Sequence, residues 1–308
     1  VTQRLVDFGR NNAIIDRADL DKQRLDSVLI QTRQGLIQEG TTAYLEVMRA
    51  ARVLRFAESS EANIKRQTEL EDARVQRGSG FSTDVLQAKS QFAGAQARRV
   101  RAEGALQTAL NKYRSLFYSD VLNPDAMAQP RTPLDLVPTS LNDAIDAAHN
   151  NNPQLRASQL SAEMARADIT RTRAQSFYPT VDAVAENDYQ KDNGGTIGSE
   201  NDQIVKLQLK YSFNLGFTAT NSLKASEATH SAAEQRYFDT RNAVEQQVRD
   251  AWNELQTAQA TAEFLRNQAN IAAEFLELAR KERQLGRRSL IDVLSGETAL
   301  IKIGRAHV

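Results

Sequence analysis

The sequence predicts a mainly α-helical chain with a small β part: internally duplicated, long antiparallel coiled-coil helical hairpins, plus a β-hairpin whose strands are long enough to cross a bilayer. Three observations carry this reading. The phrase RGSGFSTDVL at 77–86 returns as LGRRSLIDVL at 285–294, each time with a glycine six residues before Asp-Val-Leu. All six prolines lie between Pro124 and Pro179, so 1–123 and 180–308 lack the residue that breaks helix interiors. Apolar residues recur in both proline-free stretches with alternating steps of four and three, the spacing of a coiled-coil seam.

The seam is clearest at Val244, Val248, Ala251, Leu255, Ala258, Ala262, Leu265, Ala269, Ala272, Leu276 and Ala279. Moved back by the interval that separates Gly286 from Gly78, its first seven positions fall on Leu36, Gly40, Ala43, Val47, Ala50, Leu54 and Ala57. Phrase and seam share one offset, which is the signature of a duplication. Each long helix follows a similar lead-in, LVDFGR at 5–10 and YSFNLGF at 211–217. A helix of ~65 residues between lead-in and glycine phrase spans roughly 100 Å at 1.5 Å per residue.

The glycine phrases read as turns into returning antiparallel helices. After the first, helical spacing resumes through Ala88, Phe92, Ala95, Ala102, Leu106, Ala109, Tyr113 and Leu116, with Arg99 as one interruption. After the second, Ser289 followed by Asp292 has capping-box form. The expected segmentation is therefore 1–122 (the end of a strand and the first hairpin), 123–152 (an irregular part with a short helix) and 153–301 (the second repeat, with its turn at 286). KIGRAHV at 302–308 breaks the helical pattern and resembles a translated library adapter, so it is expected to be a non-native tail. Val1 stands in mid-pattern, so the sequence reads as a piece of a longer protein.

The β part is TVDAVAENDYQ (180–190) and DQIVKLQLKYSF (202–213), joined by a Gly/Asn/Asp-rich loop. Val205, Leu207, Leu209, Tyr211 and Phe213 alternate with Lys206, Gln208, Lys210 and Ser212. One apolar and one polar face suit a barrel wall with lipid outside and water inside.

Composition narrows the function classes. Lys plus Arg balance Asp plus Glu at 39 each, so nothing favours a nucleic-acid partner or a polybasic tether. With no cysteine, disulfides and thiolate metal sites are excluded. No apolar run reaches the length of a transmembrane helix. No nucleophile motif, phosphate loop or metal-ligand spacing appears, so no enzyme activity and no cofactor are expected. His149 and His230 lack neighbouring ligands and read as surface residues, while His307 lies in the suspect tail. Trp252 reads as packing beside the seam; Tyr178 reads equally as a membrane-interface anchor or as packing.

DFGR (7–10), RGSGFSTDVLQA (77–88), NNPQLRAS (151–158), FYPTVDA (177–183) and LGRRSLIDVL (285–294), in this order and spacing, resemble the TolC-type outer-membrane efflux and secretion channels. LGRRSLIDVL leans towards the branch that serves type I secretion. The resemblance implies a homotrimer in the Gram-negative outer membrane, with most of the chain in the periplasm. Its subunits would share one β-barrel in lipid and one helical tunnel, and work with a periplasmic adaptor protein and an inner-membrane transporter. It also implies that the two phrases are hairpin tips. Gly78 and Gly286 match adaptor-contact glycines. Thr83 and Asp84 match one side of a periplasmic gate network, Arg288 its basic partner, and Asp292 an acidic position projecting into the tunnel. Two positions depart from the pattern: Ser295 replaces a second acid, and Arg283 replaces the tyrosine of the tip network.

A plainer reading stands beside each. Glycine permits positive φ at a helix end, and Thr83, Asp84, Arg288 and Asp292 serve equally as helix-end and solvated surface groups. At the level of the whole chain, the alternative is a periplasmic coiled-coil adaptor or scaffold without a channel. The alternating strand pair, in phase with the duplication, argues against it.

Overall fold

The computed structural model describes all residues except 79–80, 121–122, 132–133, 193, 196, 213–215 and 308, and the side chains of 134 and 301–307. Its elements in chain order are β1 (Thr2–Val6), α1 (Arg10–Gln76), α2 (Ser82–Phe117), α3 (Leu141–Asn151), α4 (Pro153–Phe177), β2 (Thr180–Lys191), β3 (Ser199–Lys210), α5 (Thr218–Gln284) and α6 (Leu290–His307). Two short 3₁₀ turns, Pro124–Ala126 and Leu134–Leu136, interrupt the irregular stretch after α2. α1 and α5 have 67 residues each, equal lengths that follow from the duplication. α6 runs on to His307, past the expected break at 302, because the tail contains no proline to stop a helix already under way. No described helix is long and apolar enough to cross a membrane.

The chain divides into two compact units, Val1–Arg33 with Pro138–Asp250, and Gln34–Val137 with Ala251–Val308. The first holds an antiparallel sheet ordered β1-β2-β3. β2 and β3 pair without a break from Thr180↔Lys210 to Lys191↔Ser199. The strands therefore reach nearer the turn than the alternation predicts and end at Lys210. Tyr211 and Ser212 lie beyond β3, and the expected terminus at Phe213 lies outside the described residues.

Local chemistry explains how the helices of this unit start. Asn152 caps α4 by accepting from the N–H groups of Gln154 (2.8 Å) and Leu155 (3.1 Å), and Pro153 fills the first helical position, where no N–H is needed. Ser140 caps α3, accepting from the Asp143 N–H. Asp143 in turn accepts from the hydroxyls of Ser140 (2.7 Å) and Thr139 (2.8 Å), which hold its carboxyl below the usual carboxylate range. At the strand-to-helix corner Phe8 (φ 53°) and Gly9 (φ 86°) turn the chain, and Asp7 accepts from the Asn11 N–H at 2.9 Å. Phe8 stacks on Tyr178, with ring centroids 5.0 Å apart.

The core of this unit is Ala13, Ile145, Leu155, Leu160, Ala165, Ala174 and Val244. The small residues of α4 let helices approach closely enough for Ser158–Thr240 and Ser226–Thr172 hydroxyl contacts. His149 and His230 are less open than the sequence suggests. Each side chain is half-buried beside one carboxylate, Glu245 at 3.9 Å and Glu234 at 3.5 Å, because neighbouring helices cover part of each ring.

In the second unit α2 returns along α1. The buried residues of α2 include Ala88, Ala95, Ala102 and Ala109, a strict seven-residue repeat. On α1 the buried residues of this unit include Ala43, Val47, Ala57 and Ile64, and Ile64 packs with Ala88 and Ala95. Arg99, the interruption in the α2 seam, reaches across to Glu61 (2.7 Å) and along its own helix to Glu103 (2.9 Å). On the part of α5 that belongs to this unit, the corresponding seam is fully buried at Leu276 and Ala279, where α6 packs through Val293, and half-buried at Leu255, Leu265, Ala269 and Ala272. Ala251, Ala258 and Ala262 stay exposed.

Candidate functional site

The two helical turns carry the residues singled out in the sequence. α5 ends in a Schellman motif: the Arg287 N–H donates to the Glu282 carbonyl (2.9 Å) and the Gly286 N–H to that of Arg283 (3.0 Å). Gly286 stands at φ +73°. Gly78 stands at φ +75° and its N–H donates to the Val75 carbonyl at 2.9 Å, the counterpart of the Gly286 bond. An added Cβ at either glycine meets nothing within 4 Å, so backbone conformation alone demands glycine there.

Thr83 and Asp84 lie in the first turn of α2, Thr83 exposed and Asp84 half-buried. Phe81 holds the cap position but gives no side-chain bond, and Asp84 supplies the negative charge that suits a helix N-terminus. α6 starts differently: Ser289 accepts from the Asp292 N–H at 3.2 Å, the serine half of a capping box. Asp292 itself is half-buried.

Arg288 is engaged inside its own turn. Its Nε lies 3.0 Å from Glu282, and its guanidinium sits 5.0 Å from the centre of the Phe275 ring. Within the single chain, no ion pair joins it to Asp84 among the described residues. The residue that does bridge the hairpins is Arg283. It pairs with Glu71 of α1, and its Nη1 donates to the Arg288 carbonyl at 3.1 Å. The Glu71 side chain is 5% exposed and also pairs with Arg74 at 3.3 Å. One buried carboxylate thus lies between two guanidiniums, which offset the cost of its burial. An apolar cluster of Ile64, Ala88, Ala95, Leu290 and Leu294 packs the first hairpin against α6.

Glu71 escaped the sequence reading although a signal existed. It continues the seven-residue line Ala43, Ala50, Ala57, Ile64. A charge on a seam position needs a partner.

The described residues form no group of three or more His, Cys, Asp or Glu able to hold a metal. The contacts of this constellation join helices, through the Arg283–Glu71 pair and the apolar cluster. The profile of the family described as Outer membrane efflux protein matches residues 1–117 and 144–302.

The chain belongs to that family.

Among curated outer membrane efflux proteins and their kin, the chain is 29% identical over 292 residues to the outer membrane protein TolC of Vibrio cholerae, covering 93% of this chain and 66% of that protein. It is 23% identical to the alkaline protease secretion protein AprF of Pseudomonas aeruginosa, covering 95% and 61%. The chain thus spans less than two thirds of the length of either relative. Its fold is that of the outer membrane protein VceC from Vibrio cholerae, with a TM-score of 0.82 at 20% identity over 99% of this chain and 73% of that one. The outer-membrane channel OprN gives a TM-score of 0.83 at 20% identity, over 99% and 69%.

Proposed function

We propose that this chain is the greater part of one subunit of a trimeric outer-membrane channel, a passive export duct for small molecules or proteins. It would have no catalytic chemistry and no cofactor. In this reading its sheet contributes to a shared β-barrel in lipid and its long helices to a shared periplasmic tunnel. A periplasmic adaptor and an inner-membrane transporter complete the system and supply the energy. The observation that carries the reading is the two-faced β2–β3 pair in a chain that also has two glycine turns of matching geometry. A periplasmic scaffold has no use for a sheet that exposes Val205, Leu207 and Leu209 on one face.

In the same reading Gly78 and Gly286 meet the adaptor. Thr83, Asp84, Arg288 and Asp292 form the periplasmic gate, in which Arg288 exchanges Glu282 for Asp84 of a neighbouring hairpin. LGRRSLIDVL, and the likeness to a protein named for protease secretion, favour the type I secretion branch. Expression of the complete gene product tests the reading. Heat-stable trimers in outer-membrane extracts that conduct ions in planar bilayers support it; a monomer in the periplasmic fraction refutes it.

A further inference from the structure

The polar face of the sheet is ordered by charge. Register puts Arg4, Asp182, Val184, Glu186, Asp188 and Gln190 on one face with Glu200, Asp202, Ile204, Lys206, Gln208 and Lys210. The other face is apolar from Val181, Ala183 and Ala185 of β2 across to Leu209, Leu207 and Val205 of β3, and turns polar towards the β2–β3 turn, where Asn187 stands opposite Gln203, Tyr189 opposite Asn201 and Lys191 opposite Ser199.

Two features of the polar face are independent of one another. Where β2 leaves α4, the Asp182 side chain is 2% exposed and lies between Arg4 (3.0 Å) on β1 and Lys210 (3.5 Å) on β3. One carboxylate faces two cations, leaving a surplus positive charge on side chains that are themselves half exposed. In the middle, Lys206 neutralises Glu186 at 3.0 Å. Towards the β2–β3 turn, Asp188 stands directly opposite Asp202, with Glu200 next along the same face. Directly opposed like charges destabilise a strand pair. Gln190 donates to Asp188 at 2.9 Å, but no Lys or Arg pairs with Asp188, Glu200 or Asp202 among the described residues.

We propose that this face lines the conduit as a charge-ordered wall, basic where it joins the helices and acidic towards the β2–β3 turn, and that Lys210 and Asp202 set how readily each sign of ion passes. The inference rests on the channel reading above. Threefold repetition of the wall turns each end into a ring of charge. Mobile ions of the matching sign then gather between the rings under one polarity of voltage and are depleted under the other, so current rectifies. The rings act over about a Debye length, ~30 Å at 0.01 M salt and ~3 Å at 1 M.

The test uses the full-length trimer inserted in one orientation in a planar bilayer, in dilute KCl. Lys210→Gln leaves the Arg4–Asp182 pair in place, and Asp202→Asn relieves an opposed pair, so both variants should assemble. The expected result is a shift in the potassium-to-chloride permeability ratio of about twofold, upwards for Lys210→Gln and downwards for Asp202→Asn. Rectification should weaken in both and vanish for all forms in 1 M KCl. Trimers that conduct normally while both variants keep the wild-type ratio, or move it in the same direction, overturn this proposal alone. Trimers that conduct nothing overturn the channel reading and this proposal with it.

Discussion

Arg283, at the end of α5, holds the buried carboxylate of Glu71, which lies on α1 shortly before the first glycine phrase. The pair ties together hairpins that are far apart in sequence, and Arg283 simultaneously braces the second turn through the Arg288 carbonyl. Replacing Glu71 with Ala strands Arg283 and Arg74 against each other. Removing one partner of a buried pair costs ~3–5 kcal/mol, and the partial exposure of both arginines brings the expected loss nearer ~2 kcal/mol. Amide hydrogen exchange at 64–77 and 277–290 should accelerate together. A Glu71→Gln, Arg283→Gln cycle should give a coupling energy above ~1 kcal/mol; additivity would show that the two groups act independently.

Gly286 is required by its φ of +73° rather than by crowding. Gly286→Ala should lower the stability of the α5–α6 turn by ~1 kcal/mol, and Gly286→Asn by less, because Asn tolerates the left-handed region. Chemical denaturation of the two variants checks the order. Equal losses would point to a lost contact rather than to backbone conformation.

Asp143 gives the start of α3 a dependence on pH. The Ser140 and Thr139 hydroxyls lower its pKa in the folded chain. A depressed carboxyl contributes stability that is present above its unfolded value and lost as pH falls through the folded one. Protection of the 141–146 amides should therefore hold above about pH 4 and decline below it. In Ser140→Ala that protection should be about fivefold lower at neutral pH and less sensitive to acid. An acid response as steep as that of the parent would assign it to another group.

Leu209 and Lys210 are successive residues with opposite surroundings. Leu209 shares a face with Val205 and Leu207, and Lys210 lies on the face of Asp182. Spin labels at the two positions of the full-length trimer in bilayers should respond to different quenchers, oxygen dissolved in lipid for 209 and a water-soluble nickel chelate for 210. Reversed accessibility would place lipid on the charged face and defeat the barrel reading.

The gate reading makes Asp84 and Arg288 partners across neighbouring hairpins. An exposed pair contributes only ~0–1 kcal/mol, but three copies acting together shift a closed–open balance by a few kcal/mol. Asp84→Ala and Arg288→Ser should each raise single-channel conductance while trimers form normally. Wild-type conductance in both would reduce the pair to surface charge.

Sequence alone determined the elements that rest on local and periodic physics. Proline placement marked out the two long helices, heptad spacing paired α2 with α1, and strand alternation named the two faces of β3, because each signal is written in consecutive residues. The ends of elements were less legible. β3 stops at Lys210 although the alternation runs on, since pairing with β2 ends where that strand begins at Thr180. Tertiary structure alone decided the long-range polar partnerships. The i,i+3 spacing of Glu71 and Arg74 allows their pair on one helix, but nothing in the sequence brings Arg283 to Glu71, or Arg4 and Lys210 to Asp182. A buried charge selects its partner by distance in space, and that distance exists only once separate elements have packed together.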